Sequence, residues 1–388
     1  MRKNLKLYAF YLPQFHECPY NNEWWGKGFT EWDIVKKGHK LFEDHDQPKI
    51  PAKGYYDLTK GKTIEDQYHL AKENGVDAFV FYHYWYEGKR PLSKPIDLIL
   101  EDKSIDIEFS LCWANHSWTR SWTNRMGSLD VLIEQTYESD LDQRKKHFHF
   151  LNEAFCDVRC TRVNNKALFQ IYNPHDIPNL HEFICELREY CLNESNIEIH
   201  ISAVVNAWKQ NWDYLDVFDT VTFFQPSLAL FSPINLFGGI KGSFGSSSFI
   251  PALIRSLPDS LKKPLYKLQD KFFNKISVFD YDEVWNKLIA QYNCSKAFKK
   301  HVIPSAFIDF DNTPRYGKRA KIMKGFSPEK FGKYLSKLIE TTEAYESEKI
   351  IFLNAWNEWG EGMYLESDVK YGDSRLMEVK RAKYNHQG

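Results

Sequence analysis

Apolar runs of five to eight residues recur along the chain, and each gives way to polar or aromatic residues. In order they are Lys6 to Leu12, Ala78 to Trp85, Glu108 to Ala114, Ala167 to Tyr172, Glu198 to Val205, Thr220 to Phe224, His301 to Ile308 and Lys349 to Ala355. Runs this short and this apolar read as strands buried on both faces, as in a parallel sheet. Patterns of helical period fall between most of them: Ile64 to Asn74, Ser93 to Asp102, Asp140 to Phe155, Leu180 to Asn193, Tyr281 to Tyr292 and Pro328 to Tyr345. A short helix near Trp212 to Val217 fills the brief connection after the fifth run, and Arg375 to Tyr384 closes the chain. Eight strands alternating with helices predict an α/β fold, a single (β/α)8 barrel of TIM type. Residues 1–388 are read as this one domain, without internal repeat, with long insertions at about 13–62 and 225–280. The first insertion contains Trp24, Trp25, Trp32 and Tyr55 and is expected to fold over the barrel mouth.

Polar residues cluster where the runs end, which in parallel α/β folds is where chemistry sits. The first run delivers Tyr11, Gln14 and His16, and the second His83, Tyr84 and Trp85. The third ends at Trp113, Asn115, His116 and Trp118, the fourth at Tyr172 and Asn173, and the fifth at Asn206 and Trp208. Gln225 ends the sixth, and Asp309, Asp311, Asn312 and Arg315 end the seventh. The last run passes into Asn354, Trp356, Asn357, Glu358, Trp359 and Glu361. These residues, with Trp25, are the candidates for a binding site.

Glu358 and Glu361 are the candidate catalytic pair. On a continuing strand, residues three apart would face opposite ways. Gly360 and Gly362 let the backbone turn, so that both carboxylates can face one pocket. Two carboxylates flanking a glycosidic bond suffice to break or make it, one as acid and the other as base or nucleophile. Trp356 and Trp359 are expected to desolvate one carboxyl and hold its proton near neutral pH. The plainer reading is a helix N-terminus that attracts acidic side chains.

Composition narrows the partner. Aromatic residues make up 16% of the chain, with 12 Trp, 22 Tyr and 28 Phe. Rings beside amides and carboxylates suit a sugar, which offers an apolar C–H face and a polar rim. A net charge of −1 gives no ground for nucleic acid or an anionic membrane as partner. No apolar run approaches the roughly 18 residues of a membrane span. The opening MRKNLKLYAFYLPQFH does not have the form of a signal peptide, and the seven cysteines are scattered without a CxxC pair. A cytoplasmic location is the expectation, extending to the inner face of a membrane.

Several segments together resemble a known family. YAFYLPQFHECPYNNEWWGKGFTEW, FYHYW, FSLCWANHSWTRSW, DNTPR and NAWNEWGEG are similar to the WbsX-type proteins, usually described as glycosyltransferases of surface-polysaccharide (O-antigen, capsule) gene clusters. Those in turn are similar to glycoside hydrolase family 99, the endo-acting α-mannosidases and mannanases. The resemblance runs from about Leu5 to the end of the chain. It implies a (β/α)8 barrel, no cofactor, and an oligo- or polysaccharide substrate, lipid-linked in one version. It also implies a retaining mechanism assisted by the sugar's own 2-hydroxyl, with Glu358 as base and Glu361 as acid. Gly360 stands where many family 99 members carry histidine, which bears on substrate contacts at that point.

Other signals compete. Asp309-Phe310-Asp311 reads as the DxD that holds a metal in nucleotide-sugar transferases, but it falls on a barrel strand and no phosphate-cradling glycine loop accompanies it. His16, His83 and His116 offer a metal cluster only if the fold gathers them, so the site is read as metal-free. Asp140 to His149 reads as a solvated helix face, and the basic run Lys296 to His301 as lying at the barrel's far end. Arg255, Lys262, Lys263 and Lys267 offer charge to an anionic lipid carrier or are simply solvated. Three readings stay open: a polysaccharide-assembly transferase, an endo-acting hydrolase of α-mannoside-like linkages, and a non-catalytic carbohydrate-binding barrel.

Overall fold

The computed structural model describes residues 5–119, 131–137, 140–207, 213–232, 275–296, 300–343 and 349–384. The barrel strands are β1 (Leu5–Tyr11), β2 (Ala78–His83), β3 (Phe109–Trp113), β4 (Lys166–Ile171), β5 (Ile199–Val205), β6 (Thr220–Phe223), β7 (His301–Ile303), β8 (Ser305–Phe307) and β9 (Lys349–Asn354). They pair in parallel in the order β7-β6-β5-β4-β3-β2-β1-β9-β8. β7 and β8 are the two halves of the single run expected at His301 to Ile308. Pro304 divides them, because it has no N–H to give a ladder. One half pairs with β6 and the other with β9, so this run is where the barrel closes.

The crossover helices are α1 (Gly61–Glu73), α2 (Lys94–Glu101), α3 (Leu141–Cys156), α4 (Leu180–Ser195), α5 (Tyr281–Ser295), α6 (Pro328–Glu343) and α7 (Ser374–Tyr384). Each stands where helical period occurs in the sequence. A 3₁₀ turn, Asp213–Val217, serves after β5. Among the described residues no helix is long and apolar enough to cross a membrane.

A strand's period of two sorts its side chains between the barrel interior and the helix layer. Phe10 stacks on Tyr82 at 5.4 Å and approaches Phe352 and Phe224, so these rings fill the interior. Their sequence neighbours Tyr11, Phe79 and Phe81 pack together on the outside. Interior positions of β4, β5 and β6 carry Gln170, Ser202 and Thr222, joined by hydrogen bonds from Gln170 Nε2 to Thr222 and between the two hydroxyls, so the barrel is plugged by a polar layer as well as rings, with Gln170 Oε1 buried and unpartnered. An unpaired polar group there costs on the order of 1–3 kcal/mol.

Candidate active site

At the carboxyl end of β9 the chain makes a small hairpin. Asn357–Glu358 pairs antiparallel with Met363–Tyr364, and a 3₁₀ turn, Trp359–Glu361, joins them. Gly362 takes φ +68°, which favours a residue without Cβ. Gly360 is needed for space instead: a Cβ there would lie 2.5 Å from Glu31 Oε1 and 2.8 Å from Arg315 Nε. This turn directs Glu358 and Glu361 to the same guanidinium. Arg315 donates from Nη2 to Glu358 Oε1 at 3.0 Å and from Nη1 to Glu361 Oε1 at 2.8 Å. The same group holds a third carboxylate, with Nη2 and Nε at 2.7 and 3.1 Å from Glu31 Oε1.

Three carboxylates on one cation leave excess negative charge in a buried place. Burial pushes the Glu358 carboxyl well above the usual carboxylate range; Arg315 pulls it down, and the charges of Glu361 and Glu31 push it up again. Burial likewise raises Glu31 against the pull of Arg315. Arg315 stays charged, because the three carboxylates outweigh the cost of its burial. Glu361 is the most open of the three, its side chain 25% exposed against 11% for Glu358 and 2% for Glu31.

Arg315, Glu358 and Glu361 form one wall of a cavity of about 300 Å³, whose lining includes Leu12, Gln14, Tyr82, Tyr84, His116, Tyr172 and Asn354. Gln14 Nε2 donates to the Tyr84 hydroxyl at 2.9 Å. Burial lowers the His116 imidazole, so near neutral pH it offers one donor and one acceptor without charge. The cavity continues in two directions. Toward residues 14–31, where Gln14, Tyr84 and His116 border both spaces, lies an aromatic chamber with Trp24, Trp25, Phe29 and Trp118. Past Glu361, with Tyr172, Phe224 and Met363 as shared walls, lies a second chamber with Tyr316, Arg319 and Lys321.

Of the residues singled out from sequence, Gln14, Trp24, Trp25, Tyr84, His116, Trp118, Tyr172, Asn312, Arg315, Asn354, Glu358 and Glu361 line this continuous groove. Others at the strand ends do not, and parity is the reason. Tyr11, His83, Trp85 and Trp113 alternate with inward residues and so point into the helix layer. Tyr11 donates to Gln67 of α1, Trp85 stacks on His147 of α3 at 4.7 Å, and Trp113 stacks on Phe183 of α4 at 5.5 Å. His83 sits beside His147, and burial lowers it to about 3. Asn115 braces the loops behind the cavity: its amide donates to Asn173 O at 2.8 Å and accepts from Asn173 N at 2.7 Å. Asn206 reaches Asn173 Oδ1 at 3.2 Å, and Gln225 bonds Gln291 of α5. His16 is buried off the groove.

Asp311 belongs to a separate buried network. It accepts from His45 at 2.9 Å and Gln47 at 2.7 Å, and Asp309 pairs with Lys49 at 3.0 Å. Both aspartates of the DxD therefore hold the 45–49 segment. Among the described residues, no group of three His, Cys, Asp or Glu is gathered to hold a metal, and His16, His83 and His116 are not brought together. His301 opens β7 at the strands' amino end, and Lys300 beside it donates to the carbonyls of Asp216 and Phe218 there. Trp208, Arg255, Lys262, Lys263 and Lys267 lie outside the described residues.

Trp356 and Trp359 are fully buried away from the groove, so Glu358 does not owe its desolvation to their rings lining the cavity. Trp359 Nε1 instead donates at 2.7 Å to Glu366, a buried carboxylate that also accepts from Tyr56 and Gln67, each at 2.7 Å. Burial, opposed by these donors, pushes Glu366 up to about 7. Asn357 acts as a stitch: its amide accepts from Leu12 N at 2.7 Å and donates to Leu12 O at 3.0 Å, tying the hairpin to the end of β1. Sequence reasoning missed Glu31, Tyr82, Tyr316, Lys321 and Glu366. The available signal for Tyr82 was strand parity with Phe10 and Tyr84; for Glu31 it was only its presence in GFTEW.

The family described as Glycosyltransferase WbsX matches residues 7–379. Two curated proteins, both described as uncharacterized protein WxcX and from two strains of Xanthomonas campestris pv. campestris, are 32% identical over 380 residues. The match covers 97% of this chain and 49% of theirs, so the chain spans about half the length of these relatives. Among solved structures, one described as a glycoside hydrolase-like protein superposes with a TM-score of 0.59 at 14% identity, covering 98% of this chain and 94% of that one. The GH99 endo-alpha-mannosidase from Bacteroides thetaiotaomicron gives 0.55 at 12% identity, covering 98% and 97%. At such identities the likeness carries the (β/α)8 fold.

Proposed function

The chain belongs to the WbsX glycosyltransferase family, and from that premise we propose that it acts on glycosidic bonds at Glu358 and Glu361. The observation that carries the proposal is the convergence of both carboxylates on Arg315 at the centre of a groove open to either side. In the mechanism implied by the resemblance, Glu358 takes the proton of the sugar's 2-hydroxyl, whose oxygen attacks the anomeric carbon. Glu361 protonates the departing oxygen as the glycosidic bond breaks. A water or an acceptor hydroxyl then opens the resulting epoxide-like intermediate, and both protons return. Hydrolysis and transfer differ only in that last partner. We take transfer onto an oligo- or polysaccharide, lipid-linked in form, during surface-polysaccharide assembly as the leading version. Endo-hydrolysis of an α-mannoside-like linkage is the alternative.

One observation favours exchanged roles. Glu358 is the carboxyl that burial drives toward its protonated form, while Glu361 faces solvent more. That environment suits Glu358 as the acid.

Glu358→Gln and Glu361→Gln separate these cases. On an unactivated saccharide each should lose at least ~10² in rate, the low end of general acid–base contributions. On a glycosyl fluoride, whose leaving group needs no proton, the variant lacking the acid recovers and the variant lacking the base does not. Recovery of Glu361→Gln supports the roles from the family, and recovery of Glu358→Gln supports the exchange. Near-wild-type turnover by both variants on every accepted saccharide would end the proposal.

A further inference from the structure

Glu31 stands between the catalytic groups and the aromatic chamber. Its carboxylate holds Arg315 through Oε1 alone, which accepts from Nε and Nη2, and Oε2 accepts from no described residue. The side chain is only 2% exposed, yet it lines the chamber with Trp24 and Trp118. Gln14 lines the same chamber and is tied to Glu31, whose backbone N–H donates to the Gln14 carbonyl at 3.3 Å. The Gln14 amide gives Nε2 to the Tyr84 hydroxyl, and among the described residues no donor reaches its Oε1. Tyr84, having accepted, keeps its own hydroxyl proton to give. Asn21, on the short helix Pro19–Trp25, also lines the chamber, and among the described residues nothing hydrogen-bonds its side-chain amide. Glu31, Gln14 and Asn21 are each at least nine-tenths buried. Polar atoms at this depth are nearly always paired, so bonding positions left open toward a chamber are positions for a ligand.

Those positions call for hydroxyl donors above all. Glu31 Oε2 and Gln14 Oε1 are two acceptors lining one chamber, and the Asn21 amide can both give and accept. Trp24 meets Trp118 edge to face at 5.7 Å, so ring surfaces border the same space and suit the apolar C–H face of a sugar. A negative charge on the ligand would face the Glu31 carboxylate, with Glu358 and Glu361 beyond it on the same guanidinium. We propose that Glu31 is itself a sugar-binding residue. While Oε1 holds Arg315, Oε2 accepts a hydroxyl of an uncharged saccharide unit seated in the aromatic chamber, next to the unit held between Glu358 and Glu361. The assignment rests on the glycosidic-bond reading above and names what the chamber selects. A hydroxyl given to a carboxylate makes a charge-assisted bond, roughly twice as strong as a neutral one, so the groove discriminates most sharply at this hydroxyl.

The test is ligand-observed NMR and calorimetry on the full chain with two neutral probes, methyl α-D-mannopyranoside and methyl α-D-glucopyranoside, and the monodeoxy analogues of each. At least one parent glycoside should bind, and Trp24→Ala should weaken it, which locates it in the chamber. Deleting one particular hydroxyl should weaken binding to the wild type by about tenfold or more, as expected for losing a hydrogen bond to a charged group. Glu31→Gln keeps an oxygen for Arg315 and removes the charge. It should bind the parent about as weakly as the wild type binds that analogue, and the analogue itself no more weakly still. Such non-additivity marks direct contact, whereas an effect passed through Arg315 leaves the two losses additive. Asn21→Leu leaves the Arg315 cluster whole and should weaken the parent too, and equal melting temperatures establish that the variants fold. If Glu31→Gln melts early, Glu31→Asp, which keeps the charge but withdraws the oxygen, takes its place in the comparison. Failure of both parents to bind, equal binding of every deoxy analogue, or additive losses overturns the inference. Binding with this hydroxyl pattern in a protein that turns over no saccharide instead removes the glycosidic reading and leaves the sugar site standing.

Discussion

Arg315 and Glu31 are 284 positions apart in the chain and 2.7 Å apart in the fold. Glu31 is almost fully buried and takes two of the guanidinium's donors, Nε and Nη2, at its Oε1. It therefore competes with Glu358 for the positive charge that draws the Glu358 carboxyl down against its burial.

Glu31→Gln removes that competitor and one negative charge. Arg315 then favours the ionised form of Glu358 more strongly, and the acidic limb of the pH–rate profile should move to lower pH by on the order of one unit. Arg315→Gln should move the same limb to higher pH and lower kcat/KM by at least ~10², since the pair loses its cation and its placement. Opposite displacements are the signature. Displacement in one direction by both variants would refute the shared-charge account.

Glu366 supplies a stability test. Its carboxyl is buried and raised from 4.5 to about 7. A raised folded value means that the native state holds the proton more tightly. The associated stability is complete below pH 4.5 and is lost as pH climbs toward about 7. The difference across that window is on the order of 3 kcal/mol at most. Glu366→Gln should flatten this part of the stability profile, measured by urea unfolding between pH 4.5 and 7.5. A turn of the Gln67 amide keeps the network paired in that variant. Glu366→Ala strips three buried donors of their acceptor, and it should destabilise at all these pH values, by roughly 1–3 kcal/mol per donor.

The Asn357 stitch to Leu12 holds the hairpin against β1. Asn357→Ala leaves the Leu12 N–H and C=O without partners in a buried place, a loss of about 2–4 kcal/mol by unfolding. Asn357→Asp sets a carboxylate against the Leu12 carbonyl in the same buried place, so near neutral pH it should destabilise at least as much as alanine and recover at acid pH, where the protonated carboxyl can donate. Because the stitch precedes Glu358 by one residue, kcat should fall further than KM rises.

Trp25 and Trp118 stand in the chamber away from the glutamates. Trp25→Ala and Trp118→Ala should each raise KM for a long saccharide by roughly tenfold, the worth of one lost ring face. For a substrate too short to reach the chamber, kcat/KM should stay near wild type. Equal losses on long and short substrates would place these rings in a purely structural role.

The strands were legible because a strand buried on both faces must be apolar whatever surrounds it. That is why KLYAFYL, AFVFYHYW and KIIFLN stand out from the chain without knowledge of their neighbours. The groove's location followed from the same rule, since polar residues directly after such runs fall at one end of the barrel. Parity was available too. Counting by two from Phe10 and Val80 separates Tyr82 and Tyr84, which enter the groove, from His83 and Trp85, which do not. What no local pattern held was the meeting of Glu31, Arg315, Glu358 and Glu361, contributed by a loop after β1, the segment after β8 and the hairpin after β9. A carboxylate in GFTEW has the same local sequence whether it faces water or a guanidinium. Only closure of the barrel brings that loop over its mouth, and only burial there sets the Glu31 charge against the Glu358 carboxyl.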